Sequence, residues 1–173
     1  MPENNQILSV EGQLVGMPLA GPESFTAEQI AYLKRAMGVD ETVLWEADLT
    51  VAVQDRSAGT TFALSETPAN FEILKVYCAK KWPVTANNDC GAFCNEVSTA
   101  MLSKQNGGVM MLQGFMAAEN TVYHLFTRLT GCLTTTITEA AGLQTTSGQG
   151  ALGSTVYLHP YRIVGIHRIS GGN

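Results

Sequence analysis

The feature that most constrains this chain is an alternation of apolar and polar residues that begins just after Asp40. The apolar positions are every second residue, namely Val43, Trp45, Ala47, Leu49, Val51 and Val53. Successive side chains of a β-strand point to opposite faces, so a period of two places all of these side chains on one face. An apolar face must be covered by another layer. The alternation therefore predicts one half-buried strand, or two in succession, within a layered β-fold.

The remainder of the chain continues as short β-prone segments separated by turns rich in Gly, Pro and Asn. The candidate strands after the alternation cover residues 60–65, 71–78, 97–102, 109–116, 121–129, 133–138 and 155–169. Many short strands with turns between them are typical of antiparallel sandwiches and jelly rolls. We therefore predict a mainly β protein in which residues 40–173 form an antiparallel β-sandwich or jelly-roll head domain.

A short amphipathic helix is predicted ahead of the alternation. Thr26 and Gln29 have the spacing of a capping box, in which each side chain accepts a hydrogen bond from the other's backbone N–H. Apolar residues recur at helical spacing in Ile30, Leu33 and Met37. Gly38 then suits the left-handed residue that ends many helices. The segment 25–39 is thus predicted to hold a helix over 27–37, whose apolar face packs on the domain or on its own copies around an axis.

Residues 1–24 are predicted to form an extended arm. Glycine and proline occur too often in this segment for a long helix. Its apolar residues, which we expect to anchor the arm to another protein, are Ile7, Leu8, Val10, Leu14, Val15 and Met17. So many apolar side chains would be unfavourable in water, and the arm is therefore expected to dock.

Charge and hydropathy argue against two classes of partner. Charged residues make up only 14% of the chain and the formal net charge is -5, whereas a typical soluble domain has about 25% charged residues. Nucleic-acid binding needs a basic stripe, and the sequence has none. No apolar run approaches the roughly 18–20 residues of a membrane helix. The start of the chain lacks the features of a secretory signal, so we expect synthesis in a reducing cytoplasm.

Two motifs resemble ligand sites, but neither has the required context. Residues 148–153 match G-x-G-x-x-G, yet a β-prone segment follows instead of the helix that binds a pyrophosphate. Cys90 and Cys94 could supply two zinc ligands, but a second pair at knuckle spacing is missing. We therefore predict no cofactor and no metal. The sequence favours thiols over disulfides for these two residues and for Cys78 and Cys132, and leaves their final oxidation state open.

Catalysis is not predicted either. The sequence has no G-x-S-x-G elbow and no recognisable cysteine-nucleophile signature. His124 is predicted on a strand face, His159 at a turn and His167 in a terminal strand. Trp82 is the residue predicted to contact a ligand, because it lies in a long polar loop and loops often carry function.

Four short motifs, in their order, resemble a known viral module. These are Leu44-Trp45, Leu64-Ser65, Asn70-Phe71 and the closing run Ile163-Val164-Gly165-Ile166. The pattern resembles the β-sandwich module at the C-termini of head-fibre, decoration and tail-fibre proteins of tailed bacteriophages. The resemblance covers residues 25–79 and 155–169. It implies a homotrimeric module displayed on a virion surface, without catalytic residues.

The expected function is therefore that of a virion structural protein assembled in the cytoplasm of a bacterial host. Its short length favours a capsid-attached decoration or head-fibre subunit, although attachment to the tail stays open. Its expected partners are its own copies and other virion proteins. One alternative is the receptor-binding tip of a tail fibre, with Trp82 contacting a host-surface glycan. The other is a polysaccharide-cleaving enzyme, which requires two carboxylates roughly 5–10 Å apart in a groove.

Overall fold

The protein divides into two compact units in the computed structural model. The first comprises residues 1–40 and 168–173, and the second comprises residues 41–167. The structure describes residues 6–10, 13–17, 26, 29, 40–82, 92–104, 108–118, 121–147 and 149–167, the first two of these ranges for their backbone alone. Within this described part, no helix is long and apolar enough to cross a membrane.

A β-hairpin is the main described element of the first unit. Strand β1 (Gln6–Val10) pairs antiparallel with β2 (Gln13–Met17), so that Gln6 lies opposite Met17 and Val10 opposite Gln13. The predicted arm is thus extended locally, but its two extended stretches pair with each other. All six apolar residues predicted as the anchor lie on these strands. Their docking stays a prediction.

The predicted capping box is confirmed. The Thr26 backbone N–H donates to Gln29 Oε1 at 2.9 Å, and the Gln29 N–H donates to Thr26 Oγ1 at 3.2 Å. The rest of the predicted helix, including Ile30, Leu33 and Met37, lies outside the described residues. That helix and its place on a trimer axis therefore stay predictions.

The second unit is built almost entirely of strands. They are β3 (Asp40–Glu46), β4 (Arg56–Ser57), β5 (Thr61–Ala63), β6 (Ile73–Ala79), β7 (Phe93–Ser98), β8 (Met110–Ala118), β9 (Thr121–Thr130), β10 (Thr136–Thr145), β11 (Thr155–Val156) and β12 (His159–His167). A 3₁₀ turn at Pro68–Asn70 and a short helix, α1 (Thr99–Lys104), interrupt them.

These strands form antiparallel sheets, which confirms the prediction of a mainly β protein. One four-stranded sheet has the order β5-β10-β9-β8, and the other has the order β3-β12-β6-β7. The short strands β4 and β11 make a separate pair. The fold includes a curled half-barrel.

The two four-stranded sheets share one hydrophobic core. Leu74 and Val76 from β6, and Leu125 and Leu129 from β9, are fully buried in the same cluster. Ile163 from β12 joins them. Burying such aliphatic side chains stabilises the fold by roughly 1.5–3 kcal/mol each, so this cluster holds the two sheets together.

Side-chain and backbone bonds also join the sheets at their edges. The amide of Asn95 on β7 accepts from the Gln113 N–H on β8 at 2.9 Å and donates to the Gln113 carbonyl at 3.2 Å. At the other edge, the Ser65 N–H donates to the Leu44 carbonyl at 2.9 Å. Both contacts use backbone groups that would otherwise lie open at a sheet edge.

The alternation after Asp40 gives the right strand but the wrong core face. Leu44, which lies between the alternating positions Val43 and Trp45, is the β3 residue that enters the core. Val43 is 39% exposed. The alternation also outlasts the strand, and Leu49 and Val51 are 55% and 60% exposed. The strand ends because Asp48 forms a turn, accepting the Thr50 N–H on its side chain at 2.9 Å.

Two further predicted strands are corrected. The segment 97–102 is strand only to Ser98, and α1 follows because the N–H of Thr99 donates to Glu72 O and its hydroxyl donates to Phe71 O. The segment 133–138 becomes strand only at Thr136. Before it, Gly131 has a φ of 73° and opens a turn that Thr134 closes with hydrogen bonds.

Candidate functional site

Both tryptophans of the chain line one groove in the second unit. The groove has a volume of about 350 Å³, enough for a small ligand. The residues that give it its chemical character are Trp45, Glu46, Asp48, Arg56, Phe62 and Trp82. Ala47, Val51 and Val53 also line it, so the apolar phase of the alternation after Asp40 faces this groove over much of its length.

Trp45 forms one aromatic wall. It lies near the end of β3, is half-buried and packs edge-to-face on the Phe62 ring, with centroids 4.7 Å apart. Phe62 is buried on β5 and belongs to the hydrophobic core. The core therefore fixes the orientation of Trp45, while part of its indole stays accessible.

Trp82, which the sequence predicts in a ligand-binding loop, forms another part of the wall. Its backbone exchanges two hydrogen bonds with Val53, at 2.8 and 3.0 Å. Its indole Nε1 donates to the Val51 carbonyl at 2.6 Å. The ring also stands edge-on to Tyr161, with centroids 6.5 Å apart. These contacts hold Trp82 in one orientation, and the loop that follows it, residues 83–91, lies outside the described residues.

Arg56 links the groove to a buried ionic network. Its Nε and Nη2 donate to the two carboxylate oxygens of Glu139, each at 2.9 Å. Glu139 is fully buried on β10, and Nδ1 of the fully buried His159 lies 3.1 Å from its Oε1. A buried carboxylate is stable only when paired and hydrogen-bonded. Glu139 therefore requires both partners, and it holds the Arg56 guanidinium in a fixed plane.

Sequence reasoning missed this network. Arg56 lies between the alternation and the next predicted strand, at 60–65, whereas it begins β4. His159 was predicted at a turn, whereas it begins β12 and is fully buried. The spacing of Glu139 could have indicated its burial. It lies two residues after Ile137, so both side chains point inward from β10, where a carboxylate needs a partner.

Two carboxylates lie at the groove. Asp48 accepts hydrogen bonds from the Thr50 hydroxyl at 2.6 Å and from the Thr50 N–H at 2.9 Å, and these bonds lower its pKa. Glu46 is exposed, and Arg162 Nε approaches it only to 3.8 Å. Arg56 is neutralised by Glu139, so the charged residues that line the groove carry a net negative charge.

The lowered pKa of Asp48 bears on glycoside cleavage. An enzyme of that type needs one carboxyl group that stays protonated to act as the general acid, and one carboxylate. The hydrogen bonds from Thr50 favour the ionised form of Asp48. Asp48 is therefore unsuited to the general-acid role.

The other histidines and the glycine-rich loop, where the structure describes them, are not part of the groove lining. His124 is exposed on β9, and His167 Nδ1 lies 3.3 Å from Glu72 Oε2. Residues 149–153 form a loop that leads into β11, a strand, where a dinucleotide site would need a helix. Among the described residues, no group of three or more His, Cys, Asp or Glu side chains is arranged to hold a metal ion.

The described cysteines lie apart from the groove lining as well. Cys78 and Cys132 are buried, whereas Cys94 is exposed. Burial raises the pKa of the Cys132 thiol to about 12. Cys90, the partner of Cys94 in the zinc hypothesis, lies outside the described residues.

Comparison of the sequence with protein-family models gave no match, and comparison with curated proteins gave none either.

Proposed function

We propose that this chain is a non-catalytic structural protein of a tailed-bacteriophage virion, a capsid-attached decoration or head-fibre subunit that forms a homotrimer on the particle surface. The residues of the viral pattern support this proposal by their mutual contacts. A Cβ at position 165 would lie 2.5 Å from the Phe71 ring, so the closing glycine accommodates the phenylalanine of the Asn-Phe motif. The Ser65 N–H bonds to the Leu44 carbonyl, which joins the Leu-Ser motif to the Leu-Trp motif.

The sheet arrangement supports a β-sandwich or jelly-roll head within this proposal. Two antiparallel four-stranded sheets bury one common cluster, which is what a sandwich requires of its inner faces. The separate N-terminal unit supports a division of labour. In that division, residues 1–24 anchor the subunit to the capsid and residues 40–173 form the displayed head.

The outer face of β8 and β9 supports self-association. Phe115 on β8 and Val122 on β9 are 59% and 52% exposed. Val122 lies opposite Ala117, which is two residues from Phe115 along β8. Phe93 on β7, which packs against the hydrophobic core, contacts the Phe115 ring with centroids 5.4 Å apart. Exposed apolar patches of this kind mark protein interfaces. In the proposed trimer, this surface packs against a neighbouring subunit.

Immunogold electron microscopy tests the virion proposal directly. An antibody raised against the full chain is applied to purified phage particles from the source of the sequence. Regular labelling of the particle surface, lost when residues 1–24 are deleted, is the expected result. A protein found only in the lysate and never on particles would contradict the proposal.

A second candidate function, glycan binding as a receptor-binding tip, is favoured by the groove. Indole rings stack on the apolar faces of sugar rings, and nearby polar side chains bond the hydroxyl groups. Trp45 and Trp82 supply such rings, and Arg56, Glu46 and Asp48 supply the polar groups.

A glycan array tests this second function. Trp45→Ala and Trp82→Ala are each expected to weaken binding at least about tenfold, as for a buried aromatic anchor. Met101→Ala is the control, because Met101 is exposed on α1 and is not part of the groove lining. Binding that survives both tryptophan substitutions would place any glycan site elsewhere.

A further inference from the structure

The charges of the groove decide which sugars suit it, if it binds glycans as proposed above. Three charged side chains line it, namely Glu46, Asp48 and Arg56. The positive charge of Arg56 is already shared with Glu139, through two hydrogen bonds of 2.9 Å to its carboxylate. Asp48 lies within 4 Å of no cation in the described part of the chain, and the only described hydrogen bonds to its side chain come from Thr50.

Glu46 adds to this negative charge. Its described ion pair, with Arg162, is weak, because the Arg162 Nε lies 3.8 Å away, too far for a hydrogen bond, and both side chains are exposed. Lys80, which precedes Trp82 by two residues, is held by Asp55 at 3.0 Å and by the Tyr157 ring at 5.5 Å. Its charge is thus compensated outside the groove lining.

The two tryptophans also suit a positively charged ligand. The negative face of an indole ring attracts a nearby cation, most strongly when the site is partly shielded from water. Trp45 and Trp82 are both half-buried, and the Trp82 Nε1–H is already bonded to Val51. The Trp82 N–H group is therefore not free to bond a ligand.

We propose that the groove binds a sugar residue that carries a free, protonated amino group, in preference to neutral sugars and against acidic ones. The amino group is expected to lie between the two carboxylates, with the sugar ring stacked on an indole. Acidic sugars are rejected because no uncompensated cation among the described residues lines the groove to pair with a carboxylate or sulfate. This inference rests on the proposed glycan-binding function and assigns its ligand class.

The test compares three hexamers of the same β-1,4-linked backbone at pH 6, where the amine is protonated. They are hexamers of glucosamine, glucose and glucuronic acid, with the matching galactose-type series beside them. Calorimetric titration of the full chain is expected to give the tightest binding for an amino sugar, about tenfold tighter than for its neutral counterpart. Acidic hexamers are expected to bind weakest.

Two variants localise the charge effect. Asp48→Asn is expected to weaken binding of the amino sugar by about two- to fivefold and to leave binding of the neutral sugar unchanged. Glu96→Gln removes one negative charge from an exposed β7 residue outside the groove lining and is expected to change neither. Equal effects of both variants would indicate overall charge, and would overturn the proposal.

The ligand class and the glycan-binding function can be distinguished by these experiments. Neutral or acidic sugars that bind as tightly as amino sugars, with binding still lost in Trp82→Ala, would overturn the ligand class and keep the glycan-binding groove. Failure of every hexamer to bind would overturn both.

Discussion

The Arg56 guanidinium bonds side-on to the fully buried Glu139 carboxylate, with Nε and Nη2 each 2.9 Å from an oxygen. Paired N–H donors match the two oxygens of a carboxylate, and this geometry makes such contacts strong and directional. Arg56 lies on β4 and Glu139 on β10, so the ion pair ties the small β4–β11 sheet to the larger one. Because Arg56 also lines the groove, one interaction serves both stability and the shape of the candidate site.

Breaking this pair should destabilise the fold strongly. Glu139→Gln removes the negative charge and leaves Arg56 and His159 facing a neutral amide. We expect the free energy of unfolding to fall by about 3 kcal/mol, because loss of one partner leaves a partly buried charge uncompensated. Urea denaturation measures the effect. Glu96→Gln, which changes an exposed carboxylate, should stay within about 0.5 kcal/mol of the wild type, and an equally small effect of Glu139→Gln would contradict the assigned role.

Gly165 is expected to tolerate no larger residue. Gly165→Ala places a Cβ 2.5 Å from the Phe71 ring, and the ring can avoid it only by disturbing a buried site. We expect a loss of about 1–3 kcal/mol in the free energy of unfolding. The double variant with Phe71→Leu should recover part of this loss, because a smaller side chain makes room. Additive effects of the two substitutions would show that the contact is not responsible.

The link between the two sheets at Asn95 predicts a local change. Asn95→Ala removes the side-chain amide that bonds the Gln113 N–H and carbonyl. We expect a modest loss of stability of about 1 kcal/mol, because water can replace part of these bonds at a half-exposed site. Hydrogen exchange at the Gln113 amide should accelerate more than at other β8 amides. Asn70→Ala removes an exposed bond to Glu66 and serves as the control. Unchanged exchange at Gln113 would contradict the link.

Cysteine reactivity should differ sharply between positions. In a Cys90→Ser background, a thiol reagent is expected to label Cys94 in the native protein and to spare Cys78 and Cys132 until unfolding. Desolvation raises the pKa of Cys94 above its ordinary 9.0, so its labelling rate should keep rising with pH beyond that value. The pKa of Cys132 is raised further, to about 12. Labelling of Cys132 at a rate like that of Cys94 would contradict its burial.

The sequence predicted much of the β-fold because local patterns carry that information. Alternation marked β3, and the turns rich in glycine and asparagine separated most later strands. The same alternation pointed to the wrong core face, since Trp45, Ala47 and Val53 line the groove and Leu44 enters the core. A pattern reports that a face is apolar, but not whether a sheet or a ligand covers it.

The candidate site was harder to predict because it depends on contacts between distant residues. The sequence indicated Trp82 because it lies in a long polar loop. Its place in the same groove as Trp45 depends on the antiparallel β-bridge between Trp82 and Val53. The ion pair joins residues 83 positions apart, Arg56 and Glu139, and no local spacing indicates it. Such pairs become visible only once the sheets are assembled.

The proposed apolar interface predicts a response to substitution at two positions. Phe115→Ser and Val122→Ser, made together, are expected to reduce self-association while leaving the fold intact, because both side chains are exposed. Circular dichroism checks the fold. Exchange of the exposed Met101 on α1 for serine is the control, since it removes an exposed apolar side chain elsewhere. Equal weakening by both changes would contradict an interface at β8 and β9.

Native mass spectrometry of the full chain at micromolar concentration tests the central claim most directly. We expect a dominant species with three times the mass of the chain, which shifts toward the monomer in the Phe115→Ser, Val122→Ser variant. A protein that stays monomeric across this concentration range would contradict the homotrimeric virion subunit proposed here.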